Sequence, residues 1–158
     1  MTIPVSTVPA AETYITSAIS TAIAGDSLST SILVCTGEPG MDLPNDVIAV
    51  GYPETRRAVD PRFFVGSGGS GWLYETYEVD ITISTWQGGG SSQSATVSAR
   101  AWTLASYVET AVRTDPSLGG AVIVSYPMDT VGGDPQWTEE PIGLGATITM
   151  TVHCEARI

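Results

Sequence analysis

Few residues in this chain are of types that do chemistry. Among 158 residues there is one histidine, His153, and two cysteines, Cys35 and Cys154. A close trio of carboxylates, Glu75, Glu78 and Asp80, is the third candidate. His153 with a loop serine would make a small hydrolase, because an imidazole can take the proton of a hydroxyl nucleophile. The pattern positions no particular serine, however. His153 also alternates with Thr151 and Glu155 on the polar side of a strand-like run, so a surface histidine is the favoured reading. No G-x-S-x-G elbow exists in either glycine-rich run. Cys35 and Cys154 fall in apolar, strand-like stretches and read as buried free thiols packed as small hydrophobes. A disulfide between them would need adjacent strands. Together with His153 they match no zinc finger or ribbon spacing. Glu78 and Asp80 share a strand face, but no further ligand accompanies them, so a solvated strand surface is favoured over a metal site. The run GSGGSG at 66–71 precedes a strand instead of leading into a helix, which argues for a linker over an anion cradle. No cofactor and no metal are expected.

Composition narrows the classes further. The chain carries 6 basic and 17 acidic residues, for a formal net charge of −11, and all the basic residues are Arg. Without Lys there is no Walker-type phosphate loop and no pyridoxal Schiff base. A chain this acidic does not attract nucleic acid through its overall field. With 42% hydrophobic and 15% charged residues it is not disordered throughout. The length predicts one domain over 1–158 with an ordinary core. The first ten residues lack the features of a signal peptide, and no apolar stretch approaches the ~20 residues of a membrane span. A soluble protein made in a cytoplasm, without membrane contact, is expected.

The elements that must carry these residues are legible in the periodicity. A helix is predicted over about 9–24, with Ala11, Ile15, Ala18, Ile19, Ala22 and Ile23 as its apolar stripe. Pro9 suits its first turn and Gly25 its C-terminal cap. Two buried strands follow, Ile32–Thr36 and Val47–Gly51. The strongest strand is 74–86, where Tyr77, Val79, Ile81 and Ile83 alternate with polar residues. A second helix over about 94–114 buries Val97, Ala101, Leu104, Ala105, Val108, Ala111 and Val112, with serines of the preceding link available as caps. Asp115-Pro116 ends it. Strands at 121–126 and about 144–157 close the chain; in the last, Ile148, Met150, Val152, Cys154 and Ala156 share the apolar face. The expected fold is α+β: one mostly antiparallel, mixed sheet with two helices packed on one face.

Two long connections remain, about 52–72 and 127–142. Connections of this length are uncommon unless functional or disordered. The first holds Arg56, Arg57, Arg62, Phe63 and Phe64. The second holds Asp129, Asp134, Trp137, Glu139 and Glu140. Arg and aromatic side chains are common interface anchors. Opposite charges on two arms of one chain allow head-to-tail contact between identical copies, which can close into a ring.

The layout resembles the tail terminator proteins of long-tailed bacteriophages, also called tail completion or minor tail proteins. The likeness lies in an amphipathic helix (Ala11–Ala24), a strand before a long arm (Val47–Gly51), and a long alternating strand ending in an aromatic (Tyr77–Trp86). A small-residue link then leads into a long helix (Ser94–Thr114), and two strands follow (Ala121–Tyr126, Ala146–Ala156). The 52–72 arm is longer and richer in glycine than the family pattern. The resemblance implies a structural virion protein without catalytic residues. It implies a homo-oligomeric ring, a hexamer, that caps the tail tube, stops its polymerisation and meets the head–neck connector. The partners implied are other copies of itself, the tail tube protein and the connector protein. DNA would pass through the lumen without specific binding, with Glu75, Glu78 and Asp80 as lumen-facing acidic candidates. The location implied is the head-proximal end of the virion tail, after assembly in the host cytoplasm. Another head–tail connector or a tail tube subunit is the alternative within this class. A cytoplasmic binding module for an unidentified partner is the alternative outside it.

Overall fold

A computed structural model describes residues 6–41, 43–51, 62–64, 72–138 and 142–157. The chain forms an α+β fold of two helices on a mixed sheet. The first helix, α1 (Val8–Ala22), has Pro9 in its opening turn and passes into a 3₁₀ turn, Ile23–Gly25. Of the predicted stripe, Ala11, Ile15, Ile19 and Ile23 are buried, while Ala18 and Ala22 are half-buried against the same core. The second helix, α2 (Ser94–Thr114), buries Val97, Ala101, Leu104, Ala105, Val108, Ala111 and Val112, again the predicted set. No side chain caps its N-terminus, so the serines of the preceding link do not act as caps.

Strands β1 (Ile32–Thr36) and β2 (Asp46–Val50) run parallel to each other. β3 (Arg62–Phe64) forms a ribbon with the start of β4 (Trp72–Gly88). The remaining strands are β5 (Val124–Gly132), β6 (Gln136–Thr138) and β7 (Gly143–Arg157). Among the described residues the sheet has seven strands, in the order β1-β2-β4-β7-β5; β3 joins the free side of β4, and β6 joins β7 beyond β5. Every pairing other than β1–β2 is antiparallel. The longest ladder joins β4 to β7 from Tyr74–Arg157 to Gly88–Gly143.

The core lies between the helices and one sheet face. Ile48 and Val50 of β2, Tyr77, Val79, Ile81 and Ile83 of β4, and Ile148, Met150, Val152 and Cys154 of β7 meet the helix stripes there. The other face alternates with it and is mostly polar. It carries Glu78, Asp80, Thr82 and Ser84 on β4, with Thr147, Thr149, Thr151 and His153 opposite on β7. Near β2 a segment containing Pro39, Met41, Leu43 and Pro44 lies across this face. Together with Val47, Ala49 and Trp86 it lines an open groove of about 530 Å³.

Several sequence expectations change here. The connection at 127–142 is largely strand: β5 continues to Gly132, and β6 follows. An edge strand tolerates Pro127 and a bulge, and the ladder is irregular between Pro127 and Asp129. Residues 121–123 of the apolar run belong to the turn region after α2, and the strand starts at Val124. Within 52–72, Arg62–Phe64 is strand, and β4 begins at Trp72. Arg56, Arg57 and the glycine-serine run at 66–71 lie outside the described residues, as do Glu139 and Glu140. Cys154 is buried, whereas Cys35 is only partly so. They stand on non-adjacent strands, so no bridge joins them within the chain.

Candidate interface

The far border of the sheet is built by β5 and β6, placed end to end along the outer side of β7. Their join depends on two glycines. Gly132 and Gly133 have φ of +108° and +97°, in the left-handed region that side-chain-bearing residues rarely adopt. A Cβ on Gly132 would collide with the Thr147 carbonyl, and one on Gly133 would lie 2.7 Å from Trp102 Nε1. The turn is held from both sides. Gly133 N–H donates to Thr147 O at 3.0 Å, and Ser98 Oγ of α2 donates to Gly133 O at 3.2 Å.

The β6–β7 hairpin is fastened in the same way. Trp86 Nε1 donates to Thr138 Oγ1 at 3.2 Å, and Thr138 Oγ1 donates to Gly143 O at 3.2 Å. The indole of Trp86 lies where a side chain on Gly143 would otherwise be. One end of the molecule therefore holds apolar groups on rigid supports. Trp102, Trp137, Ile142 and Val131 are 48%, 55%, 69% and 69% exposed. Asp134 is exposed beside them. Further along the border, Tyr126 and Met128 are also exposed.

Of the predicted interface residues, the structure brings Asp134 and Trp137 to this border. Arg62, Phe63 and Phe64 lie in β3, which pairs with the opposite side of β4. The two groups thus belong to opposite lateral borders of one sheet. Val131, Ile142 and Trp102 were missed by the sequence reading. Trp102 follows the buried position Ala101 on α2, and its exposure was the available signal.

The acidic candidates separate. Glu78 and Asp80 lie on the polar face, where Asp80 Oδ1 accepts from Thr151 Oγ1 at 2.6 Å. Glu78 is paired across the ladder with His153. The imidazole of His153 meets Glu155 Oε1 at 3.4 Å and the Tyr126 ring at a centroid distance of 5.1 Å. Glu75 does not belong with Glu78 and Asp80. It is an odd number of positions from both, so it faces the helices and is only 2% exposed. Its carboxylate accepts from Ser6 Oγ at 2.6 Å and from Thr7 N–H and Thr7 Oγ1 at 2.8 Å each. It holds the start of α1 and is not a surface carboxylate.

A second polar cluster ties the helices to the sheet. Arg100 donates from Nη1 to Asp26 Oδ2 at 2.7 Å and from Nε to Asp46 Oδ2 at 2.8 Å. Tyr107 Oη donates to Asp26 as well, and Thr85 Oγ1 to Asp46. The Arg100 guanidinium is the main cause that holds the Asp26 carboxyl down at about 2. Burial pushes the Cys154 thiol up to about 12, so it stays protonated and inert. Among the described residues, no group of three or more His, Cys, Asp or Glu is placed to hold a metal ion. Among the described residues, no helix is long and apolar enough to cross a membrane. No protein-family model matches the chain, and no curated protein matches it.

Proposed function

We propose that this chain is a structural subunit of a bacteriophage tail: a terminator that assembles into a ring, caps the tail tube and joins it to the head–neck connector. The observation that carries the reading is the exposure of large apolar side chains at one end of the sheet, Trp102 on α2 and Trp137 on β6 on its helix side, with Ile142 in the turn before β7. Large exposed apolar groups on rigid supports serve macromolecular contact, and they are costly on a protein that stays alone. The order of elements resembles the terminator family and supports the same reading. Glu78 and Asp80, on the face without helices, are the carboxylates such a ring offers to its lumen. Repulsion there acts over about 8 Å at physiological salt, enough to keep passing DNA from adhering.

The test combines light scattering with electron microscopy of the purified chain, alone and with tail tubes. Rings alone, or rings at tube ends with no further growth, are expected. Long self-assembled tubes would make it a tube subunit instead. A chain that is monomeric in solution and absent from tube ends would remove the reading. Changing Arg56 and Arg57 to Glu is expected to weaken assembly while circular dichroism stays unchanged.

A further inference from the structure

The far border of the sheet is a strand edge, and a strand edge has its own binding chemistry. Among the described residues β5 ends the strand order and pairs with β7 alone. The beginning of its outer side is already satisfied, since Ser125 N–H donates to Pro116 O at 2.7 Å. Beyond Pro127, residues 128–132 are all exposed and meet no further strand among the described residues. An edge of this kind presents unpaired N–H and C=O groups, a template for an added strand. Asp129 and then Asp134 give it negative charge. The opposite border of the same sheet carries β3, Arg62–Phe64, which among the described residues pairs with β4 alone, and its sequence brings a basic residue.

We infer that the edge Met128–Gly132 of one copy takes the β3 strand of a second copy, with Asp129 and Arg62 as the charge pair that selects it. The two partners lie on opposite borders of one sheet, so the contact is heterologous and each copy keeps one of each border free for the next. Backbone pairing supplies affinity, and the charges reject the competing β5–β5 contact, which would set Asp129 of one copy near Asp129 of the other. The inference rests on the ring reading above and names the surfaces that join.

Charge exchange tests it. Arg62→Glu and Asp129→Arg are each expected to weaken self-association by about tenfold in sedimentation, and the double variant to recover it to within about twofold. Circular dichroism and melting temperature check that all three fold. Failure of the double variant to recover, or an unaffected Asp129→Arg, would overturn the inference and leave the capping reading standing if rings persist. Thr130→Cys in a Cys35→Ser background provides a second measurement. It is expected to give no disulfide-linked dimer on oxidation, and a prompt dimer would show a β5–β5 contact and overturn the inference. A wild-type chain that stays monomeric up to about 1 mM overturns it too, whereas the capping reading is then decided by binding to tube ends.

Discussion

Arg100 shows how one side chain can unite three elements. It sits on α2, yet its partners come from the turn after α1 and from β2. The carboxylate side chains of Asp26 and Asp46 are only 6% and 8% exposed, so neither is well served by water. Removing the cation would leave two buried charges uncompensated. Arg100→Leu is expected to destabilise the fold by about 3 kcal/mol at neutral pH, measured by urea unfolding. The pH dependence follows from Asp26. Its carboxyl is depressed in the folded chain from the ordinary 3.8 to about 2, chiefly by Arg100. Its contribution is therefore complete above the ordinary value and is lost as pH falls from 3.8 toward about 2. In the Arg100→Leu variant this part of the acid-side slope should flatten. In the sequence, Arg100 is one of the residues of α2 outside its apolar stripe. Nothing local distinguishes it, because its partners are 54 and 74 residues away.

At the scale of elements, α1 is anchored from a distance. Its N-cap, Thr7, makes no side-chain cap of its own. The carboxylate of Glu75 replaces that cap from β4, accepting the Thr7 N–H and two hydroxyls near the positive end of the helix. Glu75→Ala is expected to cost about 2 kcal/mol, since hydrogen bonds to a charged group are among the stronger ones. Hydrogen exchange should quicken first in the opening turn of α1, ahead of the core. This element also shows what period reading can and cannot deliver. The apolar stripes of both helices and of β7 were legible, because each lies against a single continuous core with a fixed repeat. Of β5 only the beginning, Val124–Tyr126, was legible, because an edge strand with helix cover over only part of its length has no alternation to display.

At the scale of the whole molecule, the exposed end and the two sheet borders carry the assembly reading. Trp137 and Ile142 are more than half exposed, so the folded monomer gains little from them. Trp137→Ala with Ile142→Ser is expected to leave stability within about 0.5 kcal/mol, judged by thermal unfolding. The same pair should weaken self-association about tenfold or more, because such side chains dominate contacts between proteins. Unchanged association would place the contact elsewhere on the molecule. The amino-acid sequence alone determined the fold class, the two helices with their buried faces, and the acidic balance without Lys. Local periodicity and composition suffice for these. Only the tertiary structure decided that Glu75 is a helix anchor and not a surface carboxylate. It alone turned the 127–142 connection into a strand edge, and it alone set that edge and β3 on opposite borders of one sheet. Those facts depend on which strands become neighbours, and neighbours are chosen by long-range pairing that no local pattern encodes.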